Sequence, residues 1–225
     1  EEPQHELMGR ITPDLLDVIR VPHRLFPKRL EEIEGALAEA TEHMNTNQLP
    51  FAFIMNKGDV MEDTLEAEAI SAPRAGVVED RLDGEIPTRF DALQRFLSVV
   101  PEAAGVIATT GKCGRELFTL ADRDQHLYQV GSMGCAAAMG LGVALNTERP
   151  VVALDGDGAA LMKLGSLATI GAYAPSNLVH VVLDNGTYDS TGGQPVPSGG
   201  VDFAAVGVAC GYAHGYRCDG LDGFE

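Results

Sequence analysis

Two residues, each just past the end of an apolar run, could together hold a metal-bound phosphate. Asp157 lies in Asp155-Gly156-Asp157-Gly158, which follows the run Val151–Leu154, and Asn185 lies in Asp184-Asn185-Gly186, which follows Leu178–Leu183. Short apolar runs of this kind read as strands buried in a parallel sheet. Asp155 and Gly156 are expected to end the first strand, because Gly and Asp favour turns. Between the runs, Leu161, Leu164, Leu167, Ala168 and Ala172 recur at helical spacing, which predicts one helix over Ala159–Tyr173. Parallel strands joined by a helix bring both carboxyl ends to one edge of the sheet, where ligands of open α/β sheets bind. An acid, an amide oxygen, a backbone carbonyl and phosphate oxygens make an all-oxygen donor set that suits Mg²⁺. Free amides at the start of the following helix favour the phosphate.

Other polar strings follow strands in the same way. Thr109-Thr110-Gly111-Lys112 and Gly114-Arg115-Glu116-Leu117 come after a strand predicted at Gly105–Ala108. Gly131-Ser132-Met133-Gly134-Cys135 comes after one predicted at Leu127–Val130. Upstream, residues 1–20 open in a polar segment and then read as a helix, with Thr12 as its cap and Pro13 at its first position. Residues 27–44 read as a second helix and Leu49–Met55 as a strand. Residues 59–85, polar and with little periodicity, read as a linker between domains at 1–58 and 86–225. Further helices are predicted at Arg89–Val99, Cys135–Asn146 and Phe203–Cys210. The class is α/β, with parallel sheets flanked by helices.

The net charge of −17 argues against nucleic acid or an anionic membrane as a partner. It also requires local cations at any site for an anion, and Lys112 and Arg115 are candidates. The cysteines at 113, 135, 210 and 218 have no metal or redox spacing, which points to free thiols in a reducing cytoplasm. No apolar run reaches the ~20 residues of a membrane span. The dinucleotide-binding and Walker motifs of nucleotide domains are absent from the sequence.

Taken together, the strings at 109–117, 131–135, 155–158 and 184–194 resemble the phosphonopyruvate and sulfopyruvate decarboxylases, a branch of the thiamin-diphosphate enzymes. The resemblance implies Mg²⁺ held by Asp157, the Asn185 side chain and the Thr187 carbonyl, with Gly156, Gly158 and Ala159 at the diphosphate. Thr110 and Gly111 would line the cofactor. The Gly131 carbonyl and Met133 amide would hold the pyrimidine edge, while the Met133 side chain bends the cofactor into a V. Lys112 and Arg115 would meet the anionic 2-oxo acid, and His5 would transfer protons. The implied reaction is non-oxidative decarboxylation of 3-phosphonopyruvate to phosphonoacetaldehyde, in phosphonate and antibiotic biosynthesis. A sulfonate substrate, or a subunit that binds cofactor without chemistry, is the alternative. Residues 1–58 resemble the last third of a pyrimidine-binding domain and contain no match to that domain's signature glutamate. The chain ends without the expected final strand and helix. A homodimer, a homotetramer or a partner subunit supplying the glutamate is therefore expected. Without the resemblance, turn residues at 157 and 185, a core methionine at 133, a loop histidine at 5 and solvated cations at 112 and 115 remain open readings.

Overall fold

The computed structural model describes all residues except 1, 2, 65, 67–74, 83 and 225. It divides into two compact units, Glu1–Glu68 and Ala69–Glu225.

The first unit contains α1 (Glu6–Val18), β1 (His23–Leu25), α2 (Leu30–Asn47) and β2 (Ala52–Ile54). β1 and β2 pair in parallel, His23 with Ala52 and Leu25 with Ile54. Thr12 and Pro13 do not start a helix; both lie inside α1. The Thr12 hydroxyl donates to the Met8 carbonyl at 2.6 Å, bonding back along the helix where a cap would bond forward. The predicted strand at 49–55 contracts to Ala52–Ile54.

The second unit is built on four parallel strands. β3 (Val77–Arg81) and α3 (Arg89–Val99) come first, then β4 (Gly105–Ala108), α4 (Lys112–Leu120), β5 (His126–Tyr128) and α5 (Ala136–Ala144). β6 (Val151–Gly156), α6 (Asp157–Met162), α7 (Ser166–Tyr173) and β7 (Leu178–Leu183) follow. The chain then forms the hairpin strands β8 (Thr187–Tyr188) and β9 (Gln194–Pro195), a 3₁₀ turn at Pro197–Gly200, α8 (Phe203–Ala209) and β10 (His214–Cys218). The central sheet has the order β5-β4-β6-β7. On one face Val106, Ala108, Val152 and Leu154 bury Leu93 and Phe96 of α3 with Cys113 and Leu117 of α4. On the other, Ile107 and Val151 pack with Ala136 and Ala144 of α5, and Ala153 with Ala137, Leu141 and Ile170 of α5 and α7. Helices on both faces explain why these strands read as continuous apolar runs.

Four expectations change here. β6 does not stop at Leu154 but runs on through Asp155 to Gly156, paired with Val182 and Leu183 of β7. Asp155 tolerates full burial because His180 Nε2 lies 3.0 Å from its Oδ2, with the Tyr212 hydroxyl 3.3 Å from His180 Nδ1. The helix predicted over 159–173 is two helices, α6 and α7, separated at 163–165. The linker assigned to 59–85 contains β3, and β10 follows α8 where the sequence reading has no strand. These two pair in parallel, Val77 with His214 through Arg81 with Cys218. Arg217 of β10 fixes that pair by binding Asp80 and, 2.7 Å away, Asp202, the residue that caps α8.

Candidate functional site

The carboxyl edge of the central sheet collects the polar strings. Gly156 of β6 pairs with Leu183 of β7, so the next residues, Asp157 and Asp184, leave the sheet side by side. Asp157 opens α6 and is 3% exposed. Its Oδ2 lies 3.1 Å from the Ser198 hydroxyl, which also lies 2.9 Å from Asp184 Oδ1. Burial, with the neighbouring Asp184 as a further cause, pushes the Asp157 carboxyl above the usual carboxylate range. The Gly158 N–H and the Ser198 hydroxyl oppose that rise. Asp184 Oδ1 also accepts from the Gly186 N–H at 3.0 Å, and Asn185 Oδ1 accepts from the Thr187 N–H at 3.2 Å. These two bonds fold 184–187 into a tight turn.

The remaining strings close around this turn. Gly158 packs under the Tyr188 ring so tightly that an added Cβ would meet Tyr188 Cε1 at 2.3 Å. Gly134, with φ +88°, lets the 131–135 turn touch α6, where an added Cβ would meet the Ala159 carbonyl at 2.7 Å. That contact sets the half-buried Met133 and the exposed Gly131 beside the start of α6. The Thr110 hydroxyl donates to the Val130 carbonyl at 3.1 Å, tying the turn after β4 to the turn after β5. Gly111 caps α4 and approaches the Ser190 side chain.

An ionic cluster holds the 188–191 segment against α4. Lys112 Nζ donates to Asp189 Oδ1 at 2.8 Å. Arg89 donates to both Glu116 carboxylate oxygens, at 2.9 and 2.7 Å, and to Asp189 Oδ2 at 3.1 Å. Lys112, followed by Arg89, holds the Asp189 carboxyl below the usual carboxylate range. Lys112 is therefore already paired, whereas Arg115 is exposed on α4.

The structure brings Thr110, Gly111, Lys112, Gly131, Met133, Gly156, Asp157, Gly158, Ala159, Asn185 and Thr187 to one edge of the second unit. His5 belongs to the first unit, exposed at the end of the short turn Pro3–His5. Sequence reasoning missed Asp184 and Ser198. Asp184 could have been found by carrying the strand register one residue further, but Ser198, in Pro197-Ser198-Gly199-Gly200, reads only as a turn.

This edge offers two carboxylates, an amide oxygen and loop carbonyls. Among the described residues no three His, Cys, Asp or Glu side chains gather as a metal cage. The donor set therefore fits a hard cation that shares its shell with phosphate.

Residues 110–222, half of the chain, match the family described as "Thiamine pyrophosphate enzyme, C-terminal TPP binding domain". The chain is 51% identical to the phosphonopyruvate decarboxylase of Streptomyces viridochromogenes, over 99% of this chain and 57% of that protein. It is 48% identical to the phosphonopyruvate decarboxylase of Streptomyces hygroscopicus, over 99% of this chain and 56% of that protein. With sulfopyruvate decarboxylase subunit beta of Methanocaldococcus jannaschii it shares 40% identity, over 56% of this chain and 67% of that subunit. The chain thus spans somewhat more than half the length of the phosphonopyruvate decarboxylases it matches. No helix among the described residues is long and apolar enough to cross a membrane.

Proposed function

The chain belongs to the thiamine pyrophosphate enzymes, and from that premise we propose that it carries the diphosphate-binding part of a decarboxylase acting on 3-phosphonopyruvate, yielding phosphonoacetaldehyde and CO₂. The observation that carries the reading is the pairing of Asp157 with the Asp184–Thr187 turn at the ends of adjacent parallel strands. Identity of 51% to a named phosphonopyruvate decarboxylase supports the substrate. When bound, thiamin diphosphate supplies the nucleophilic carbon and the electron sink for loss of CO₂.

The residues then divide the work. Asp157, Asn185 Oδ1 and the Thr187 carbonyl hold Mg²⁺, and Gly156, Gly158 and Ala159 supply diphosphate contacts. Met133 would support the cofactor from below, Gly131 and Met133 would bond its pyrimidine edge through the backbone, and Thr110 and Gly111 would line it. Lys112 and Arg115 receive the substrate's anionic end, Lys112 exchanging Asp189 for it. His5 serves proton transfer, a role that rests on the resemblance. A homo-oligomer or a partner subunit completes the site, in the cytoplasm. The second reading, a sulfonate substrate in a two-subunit enzyme, is favoured by the similarity to a sulfopyruvate decarboxylase beta subunit.

A coupled assay for the aldehyde product, run with phosphonopyruvate and sulfopyruvate in parallel on the assembled protein, tests the proposal. The expected result is a higher kcat/KM for phosphonopyruvate. Preference for sulfopyruvate supports the second reading, and turnover of neither substrate sinks both.

A further inference from the structure

The contacts around Ser198 extend the cation site beyond the ligands already assigned. Ser198 is 2% exposed and stands on the turn after β9, tied down by the Val201 N–H donating to its carbonyl at 2.8 Å. The Val196 N–H donates to the Gly186 carbonyl, also at 2.8 Å, which ties the segment just after β9 to the 184–187 turn. The Ser198 hydroxyl has one hydrogen, yet it sits within 3.1 Å of a carboxylate oxygen on each side, Asp157 Oδ2 and Asp184 Oδ1. It can donate to only one of them at a time. With the Gly186 N–H also donating to Asp184 Oδ1, both carboxylates are held by neutral donors, and two like charges held close, one of them on the buried Asp157, cost energy. A divalent cation removes that cost.

We propose that Asp184 and Ser198 are positioning residues of the cation site. Asp184 adds a second negative charge, and Ser198 sets both carboxylates at the spacing that a divalent cation closes. The inference rests on the reading of Asp157 as a cation ligand. It adds that the turn carrying Asn185 and Thr187 is preset through Ser198, at the expense of the cation-free protein. A merely structural Ser198 would tie down the turn with no bias toward a cation.

The test uses Mn²⁺ as the probe. Its binding to the assembled protein in the presence of thiamin diphosphate is read by electron paramagnetic resonance, beside the Tm of the cation-free protein. Removing groups that orient metal ligands typically weakens binding about 10- to 100-fold. Asp184→Asn and Ser198→Ala should each lose Mn²⁺ affinity on that scale, while Asp184→Asn leaves the cation-free Tm equal or higher. Wild-type Mn²⁺ affinity in both folded variants, with binding lost in Asp157→Asn, would overturn the inference and leave the proposed function standing. Wild-type affinity in Asp157→Asn itself would remove the premise as well. Should Ser198→Ala not fold, the near-isosteric Asp184→Asn decides alone, and a lowered Tm with unchanged affinity overturns the proposal.

Discussion

The two ends of the β6–β7 strand pair treat polar groups in opposite ways. At the amino end, Asn177 precedes β7 and turns its side-chain amide onto three carbonyls, those of Ala144, Thr147 and Arg149, at 3.2, 2.8 and 2.9 Å. Donors and acceptors there answer one another within the protein. At the carboxyl end, Asp157 and Asp184 share the single hydrogen of Ser198. Nearby, Asp155 Oδ1 and Thr109 Oγ1 are buried without a hydrogen-bond partner among the described residues. The same strands, then, carry a closed network at one end and an open one at the other. Polar groups that only hold a fold are satisfied by the fold, whereas a site that must bind a charged ligand is left needing it.

Three changes would break or sharpen this contrast, beginning with the largest. Met133→Ala acts on the open end, where the close contact at Gly134 seats the 131–135 turn against α6. Misplacement of reacting groups by about 1 Å costs about 10²-fold. Exchange of the cofactor's C2 proton, followed by NMR in deuterated buffer, should slow on that scale with a smaller loss of cofactor affinity. An unaltered exchange rate would mean that Met133 is packing only. Asn177→Ala acts on the closed end. Leaving buried acceptors unpaired costs about 1–3 kcal/mol, and these are at most partly buried, so denaturant unfolding should show a loss toward the lower end of that range while cofactor affinity stays at the wild-type value. A change in affinity would show that the two ends are coupled.

The smallest effect is on pH dependence. The Asp157 carboxyl is raised in the folded protein, chiefly by burial. Between the ordinary carboxylate value of about 4 and that raised value, the folded state binds more protons than the unfolded chain. Stability of the cation-free protein therefore falls as pH rises through this window. Asp189 has the opposite sign. Its carboxyl is depressed by Lys112 and Arg89, so its contribution is present above the ordinary value and lost as pH falls through the depressed one. The difference in Tm between Asp157→Asn and wild type isolates the first effect. The variant should gain on wild type as pH rises above about 4, and Mg²⁺ should erase the gain. A pH-independent difference would contradict the assigned environment of Asp157.

The open end was legible in the sequence because Gly, Asp and Asn punctuate apolar runs there, and punctuation at strand ends is a local signal. What depended on distant partners was not. Val77–Arg81 ends in charged residues, and only its pairing with His214–Cys218 makes it a strand. Asp155 reads as a turn residue until His180, from the next strand, offers it a hydrogen bond. Thr12 and Pro13 carry the marks of a helix start, but the helix begins at Glu6 and runs through them. Ser198 carries no motif or periodicity, and its place between two carboxylates follows from the β8–β9 hairpin folding back over the turn.

In the proposed function the carboxyl edge of the sheet binds a diphosphate through a divalent cation. Calorimetric titration of thiamin diphosphate into the assembled protein, in Mg²⁺ and again in excess EDTA, tests it most directly. The account predicts saturable binding in Mg²⁺ that is lost in EDTA and lost again when Asp157 is replaced by Ala. Equal affinity with and without the cation, or in the Asp157→Ala variant, would contradict it.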